Sequence, residues 1–210
     1  MAMNENTVLE AIKSRRSIRK YRNEQIKQEE LDIILEAGIY APTGHNDQPW
    51  HFTVIQDKEL IDHMNIETKK NMVNAPIDWL KNMGKNEKLH IYHNAPTVIV
   101  VSGRKDALAP LMDCSAATQN MLLAAKSRDI GSCWIGLAKF FFQNPENATK
   151  LDLAPFFQTI IEDMYIPENV SKLNIPKGYE PYFAVTLGYP SSPNDIPSPK
   201  RKSDVVDYIK

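Results

Sequence analysis

Two short stretches of this chain concentrate side chains able to hold a small charged molecule. Residues 13–22 (KSRRSIRKYR) carry six basic side chains and no acid. Guanidinium groups suit phosphate oxygens because they bind in a bidentate fork and never lose their charge. The same decamer also reads as a solvated basic loop. Residues 41–50 (APTGHNDQPW) crowd small, hydroxyl and amide side chains into one segment. Asn46 and Gln48 each offer a donor and an acceptor, which suits the mixed edge of a flat heterocycle. The alternative there is a turn capped by Asn and Thr, with Trp50 as its apolar anchor.

Other chemistries are excluded by what is missing. Gly131 and Gly136 have the spacing of a phosphate-binding loop, but Leu137-Ala138 stand where Lys-Ser/Thr is required. There is no G-x-S-x-G elbow and no H-E-x-x-H helix. Of the five histidines only His90 and His93 could share a face, and no third ligand accompanies them, so no metal site is expected. Cys114 and Cys133 sit in apolar surroundings and read as packing residues of a reduced compartment. Glycine is scarce, 8 in 210 residues, so any phosphate must be met by side chains rather than by a glycine loop.

The whole-chain charge is −1, from 25 basic and 26 acidic residues, which gives no bias toward nucleic acid or anionic membrane. Tyr21 alone does not make a base-stacking surface. The longest aliphatic run, Val98–Val101, falls far short of the roughly 20 residues a membrane helix needs. With no basic-then-apolar leader at Met1–Asn6, a cytoplasmic protein is expected.

The elements that must position these stretches are readable in outline. A short helix is expected from Thr7, with Val8, Leu9 and Ile12 on one apolar face. Residues 28–40 read as a helix, broken by Ala41-Pro42. Residues 51–56 read as a strand and 57–72 as a helix, whereas 76–93 are polar and ambiguous. The β-branched run 97–102 reads as a buried strand, and 113–128, apolar on nearly all sides, as a central helix. Residues 131–136 form a short strand or turn, and 181–189 another strand. Residues 140–180 look irregular. Phe140, Phe141, Phe142, Phe156 and Phe157 are expected to fill core for the most part. Seven of the 14 prolines follow residue 166, so the final stretch should be extended, with Val205–Ile209 able to form a terminal strand.

Taken in series, Arg15-Arg16-Ser17-Ile18-Arg19-Lys20-Tyr21, Ala41-Pro42-Thr43, Asn46-x-Gln48-Pro49-Trp50, Ala95-Pro96, Gln119–Ala125 leading to Gly131–Gly136, and Leu187-Gly188-Tyr189-Pro190 resemble the nitroreductase family of flavoproteins. The resemblance implies a single α+β domain over 1–210, a sandwich with a central, mainly antiparallel sheet flanked by helices. It implies an intertwined homodimer, with the tail from about residue 190 extended over the partner and FMN at the interface. Carried over residue by residue, it assigns Arg15, Arg16, Ser17 and Arg19 to the FMN phosphate, ribityl chain and pyrimidine edge. Lys200 and Arg201 would meet the phosphate from the tail. Pro42, Thr43, Gly44, Asn46 and Gln48 would reach the flavin from the partner, and Ile135 and Gly136 would lie near N5. The family often adds a Lys or Asn contact from the segment between the first two strands, and residues 57–94 offer no aligned counterpart. The implied activity is ping-pong hydride transfer from NAD(P)H through FMN to a nitroaromatic, quinone or similar flat acceptor, with no side chain acting as nucleophile. Related outcomes are dehalogenation, flavin cleavage or a flavin-binding redox sensor without turnover.

Overall fold

A computed structural model describes residues 7–142, 173–192 and 196–209. Its centre is the run Thr97–Arg104, strand β2, whose first seven residues are all buried. A strand apolar on both faces must be covered on both, and side chains alternate across it. Val98 and Val100 enter one core, Ile99 and Val101 the other. Strand β1 (Trp50–Ile55) pairs antiparallel with one edge of β2, and β4 (Tyr179–Gly188) with the other. Strand β3 (Gly131–Ile135) closes the far side of β4, giving an antiparallel sheet of order β1-β2-β4-β3. Pro181 is accommodated within β4 because the register shifts between Val101 and Ser102, opposite it.

Helices cover both faces, as an α+β sandwich requires. On one side α2 (Gln28–Ile39) lies against the central α5 (Pro110–Ser127). Their close approach depends on Gly38, where a Cβ would stand 3.0 Å from the Met121 Cγ. Asn120 Nδ2 ties the pair by donating to the Ala37 carbonyl at 3.1 Å. On the other side lie α3 (Lys58–Val73), α4 (Asp78–Lys85) and the single turn α6 (Lys139–Phe142). Asp57 caps α3 by accepting from the amides of Glu59 and Leu60. Phe140, Phe141 and Phe142 are buried in this second core, as expected of them. Phe156 and Phe157 lie outside the described residues. Among the described residues no helix is long and apolar enough to cross a membrane.

Three readings of the sequence change. Residues 78–85 of the ambiguous polar stretch form α4, because Leu80 and Gly84 pack inward while the polar positions stay wet. Helix α1 (Thr7–Ser14) does form, but its apolar residues are exposed: Val8 by 61%, Leu9 by 50% and Ile12 by 48%. The terminal stretch 205–209 is no strand in the single chain; it runs exposed and extended. The stretch from 196 onward is otherwise extended, as its prolines suggest.

At one end of the sheet two glycines admit residues 17–22. A Cβ on Gly131 would stand 2.8 Å from Ile18 Cγ2, and one on Gly188 would stand 2.8 Å from Pro96 Cδ and 2.9 Å from Tyr21 Cδ1. Both contacts are far inside ordinary packing distance, and a proline ring and a phenol have little room to yield. Replacing Gly188→Ala is therefore expected to destabilise the fold by about 1–3 kcal/mol through overpacking. A lowered urea midpoint with an unchanged slope would register it; an unchanged midpoint would contradict the packing described.

Candidate functional site

The basic segment is fixed by backbone before any side chain acts. The Ile18 amide donates to the Ser132 carbonyl at 2.9 Å, and the Arg22 amide to the Tyr189 carbonyl at 2.8 Å. The Ser191 amide returns a bond to the Lys20 carbonyl at 3.1 Å. Ile18, 5% exposed, plugs into the space above Gly131. The Tyr21 hydroxyl donates to the Ile18 carbonyl and pairs with Thr186 Oγ1 at 2.8 Å. Burial pushes that phenol well above its ordinary pKa, so it stays a neutral brace.

With Ile18 and Tyr21 turned inward, Arg15, Ser17 and Arg19 gather at the start of β3 around Cys133. Arg19 Nη1 donates to the Ser17 carbonyl at 3.5 Å, and the charges of Arg19 and Arg15 both act on the Cys133 thiol. Burial still dominates and holds the Cys133 pKa above its ordinary value, with Arg19 the strongest opposing influence. The corner is thus positive, donor-rich and built on rigid sheet backbone. Arg16 differs from its neighbours. Its Nη1 donates to the carbonyls of Lys13 and Arg15, both at 2.7 Å, and its Nε to the Ile196 carbonyl at 3.1 Å. It braces the segment against the beginning of the tail. Lys200 and Arg201 follow, exposed in the extended tail.

The turn before β2 abuts the same corner through Pro96, which shares the Gly188 contact with Tyr21. Helix α3 grips this turn from behind. Asp62 Oδ1 lies 3.3 Å from His90 Nε2, and the Ile91 amide donates to Asn65 Oδ1 at 2.8 Å. Lys69 Nζ donates to the Asn86 carbonyl at 2.7 Å. The Asn94 amide donates to His90 Nδ1 at 3.3 Å, so the His90 proton belongs on Nε2, facing Asp62. His90 therefore serves as a tether, with Asp62 and a backbone amide as its partners. The turn closes with left-handed φ at His93 (56°) and Asn94 (51°). His93 is half-buried, and burial, then Arg19, then His90 push its pKa down to about 4. It is neutral near pH 7. In the sequence His93 reads only as half of a metal pair, and the turn Asn94-Ala95-Pro96 is the one local signal that bears on its placement.

The second stretch is a compact polar loop ahead of β1. Thr43 Oγ1 accepts from the Gln48 amide at 3.1 Å and donates to the Gly44 carbonyl at 3.2 Å. Gln48 Nε2 donates to Asn46 Oδ1 at 3.0 Å. His45, Asn46 and Gln48 all take left-handed φ, at 51°, 58° and 42°. Asp47 anchors the loop, pairing with Arg104 at 3.5 Å and accepting from the Leu108 amide at 3.2 Å. A surface hollow of about 400 Å³ opens beside it, lined by Ile39, Tyr40, Ala41, Thr43, Asn46 and Gln48. Pro42 is exposed and Gly44 half-buried at its edge.

These two groups do not meet within one chain. Trp50 pairs with Gly103 at one end of the sheet, whereas Ser132 pairs with Leu187, and Leu187 with Thr97, at the other. Three strand spacings across and some six residues along place Trp50 and Ser132 about 24 Å apart, at diagonal corners of the sheet. Ile135 is buried at the far end of β3, and Gly136 follows it, with nothing within 4 Å of where a Cβ would be.

The model of the nitroreductase family matches residues 12–189. A protein of Archaeoglobus fulgidus, whose name proposes an NADH dehydrogenase or NAD(P)H nitroreductase, is 31% identical over 194 residues, spanning 90% of this chain and 88% of the relative. A nitroreductase with bound FMN from Bacteroides fragilis NCTC 9343 superposes with a TM-score of 0.80 at 31% identity, covering 99% of this chain and 100% of that one. A second, from Desulfitobacterium hafniense DCB-2 and also with bound FMN, gives 0.78 at 27% identity, covering 98% and 99%. Matched over most of its length in both sequence and fold, the chain belongs to the nitroreductase family.

Proposed function

We propose that this protein is an FMN-dependent NAD(P)H oxidoreductase that works as a homodimer and reduces flat electrophiles such as nitroaromatics or quinones. The observation that carries the reading is the convergence of Arg15, Ser17 and Arg19 on one rigid, positive corner, in a chain similar end to end to FMN-bound structures. The residues present fit the cofactor. Two guanidiniums and a hydroxyl supply the donors that a phosphate and a polar flavin edge require. Gly136 leaves open space against which a ring can lie.

When bound, FMN would supply the hydride-transfer chemistry that links NAD(P)H to the acceptor. The chain's part is binding, orientation and electrostatics. Arg15 and Ser17 bind the phosphate and ribityl groups. The fixed charge of Arg19 would favour negative charge on the pyrimidine edge of the bound cofactor. Ile135 and Gly136 bound the ring. Pro42, Thr43, Gly44, Asn46 and Gln48 precede β1 at the diagonally opposite corner of the sheet in their own chain, so they serve the site of a second copy. Lys200 and Arg201, carried on an extended tail, add charge for the phosphate. Arg16 holds the segment and tail together through three carbonyls and acts as a positioning residue.

Purified protein is expected to be yellow, to carry about one FMN per chain, and to show twice its 23.9 kDa mass by light scattering. Colourless protein that fails to take up added FMN would overturn the reading; a monomeric mass with FMN retained would overturn the role given to the loop. Arg19→Ala should weaken FMN binding about tenfold or more, the scale of one charge-assisted hydrogen bond, whereas Lys20→Ala should change it by less than about twofold. Fluorescence titration of apoprotein with FMN measures both, and equal losses would count against Arg19.

A further inference from the structure

The loop ahead of β1 carries an electrostatic problem. FMN is anionic through its phosphate, and its reduced form carries further negative charge. Yet the two amides assigned to it, Asn46 and Gln48, flank a carboxylate, Asp47. A free carboxylate at that position would oppose the cofactor the loop helps to bind. The geometry turns it away. Asn46 and Gln48 take left-handed φ of 58° and 42°, whereas Asp47 between them stays right-handed at −64°. The two amides hydrogen-bond to each other and line the hollow, which Asp47 does not. Asp47 faces residues 104–108 instead. Its Oδ1 lies 3.5 Å from Arg104 Nη2, and its Oδ2 accepts from the Leu108 amide at 3.2 Å. Arg104 is itself fixed: its amide donates to the Pro49 carbonyl at 2.8 Å and its Nε to Asp106 Oδ1 at 2.6 Å.

We propose that Arg104 is a positioning residue for the cofactor site of the second copy: it neutralises Asp47 and holds it on the far side of the loop, so that the amides of Asn46 and Gln48 face FMN and the carboxylate does not. The inference rests on the FMN reading above. Arg104 touches neither amide; it acts through the residue between them. The Leu108 amide fixes the second carboxylate oxygen, so the orientation of Asp47 is set at both oxygens. Both partners of the ion pair are partly exposed, and such a pair adds little to fold stability. Its effect falls on loop orientation and on local charge, which a cofactor's affinity and reduction potential both register.

The midpoint potential of the bound flavin, read by equilibration with a reference dye, tests this. Arg104→Gln leaves Asp47 without its cation and should lower the potential by about 15–30 mV, equivalent to roughly threefold to tenfold weaker binding of the reduced form relative to the oxidised one. The urea midpoint should stay close to that of the unsubstituted protein. Arg104→Lys, which keeps the charge, should hold the potential. Adding Asp47→Asn to Arg104→Gln should restore it. Adding Asp106→Asn instead, which restores the same net charge from a carboxylate outside the loop, should not. Arg104→Met takes the place of Arg104→Gln if that variant does not fold. An unchanged potential in Arg104→Gln, or a rescue that does not depend on which carboxylate is removed, would overturn the role of Arg104 and leave FMN binding standing. Unsubstituted protein that binds no FMN would overturn the FMN reading and this inference with it.

Discussion

Everything at the candidate site depends on how residues 17–22 dock across the end of the sheet. Five backbone and hydroxyl bonds and two plugs, Ile18 over Gly131 and Tyr21 over Gly188, turn a basic segment into part of the sheet's rim. Long cationic side chains normally lose much entropy when held in place. Here the backbone beneath them is immobilised by the fold itself, so Arg15 and Arg19 start from a fixed root. The pattern of one inward apolar residue between two cations is what separates the fixing function from the binding function.

The electrostatics of the corner follow from that placement. A chain with a formal charge of −1 shows no global preference for anions, yet a local field is set up by gathering arginines where no acid stands among them. The field is strong enough to oppose the burial of Cys133 and to help keep His93 uncharged. Acidic groups are kept at a remove: Asp62 lies behind His90, where it orients a ring, and Asp47 is paired with Arg104 at the diagonal corner. Both carboxylates shape backbone, and neither neutralises the cations of the site.

The sequence was legible where one physical force settled the outcome. The β-branched run of β2 and the all-round apolar α5 could only be buried, and both are. Helix α4 was hidden because its polar majority masks two inward residues, Leu80 and Gly84. The terminal residues 205–209 have the composition of a strand but pair with none in the single chain, and propensity without a partner does not make a strand. Within the site, residue type was visible and task was not: Arg15 and Arg16 are adjacent and identical, but only Arg16 spends its guanidinium on backbone carbonyls.

The state of Cys133 has a chemical consequence. Oxidants and alkylating agents attack the thiolate, so a cysteine among arginines would ordinarily be a reactive one. This sulfur is 3% exposed, and burial outweighs the cations that favour its ionisation. It therefore remains a protonated, polarisable filler at the floor of the corner, shielded from the climb to sulfenic and sulfinic acids. A redox site can thus place a thiol directly beneath its cationic groups without making that thiol one of the reactants.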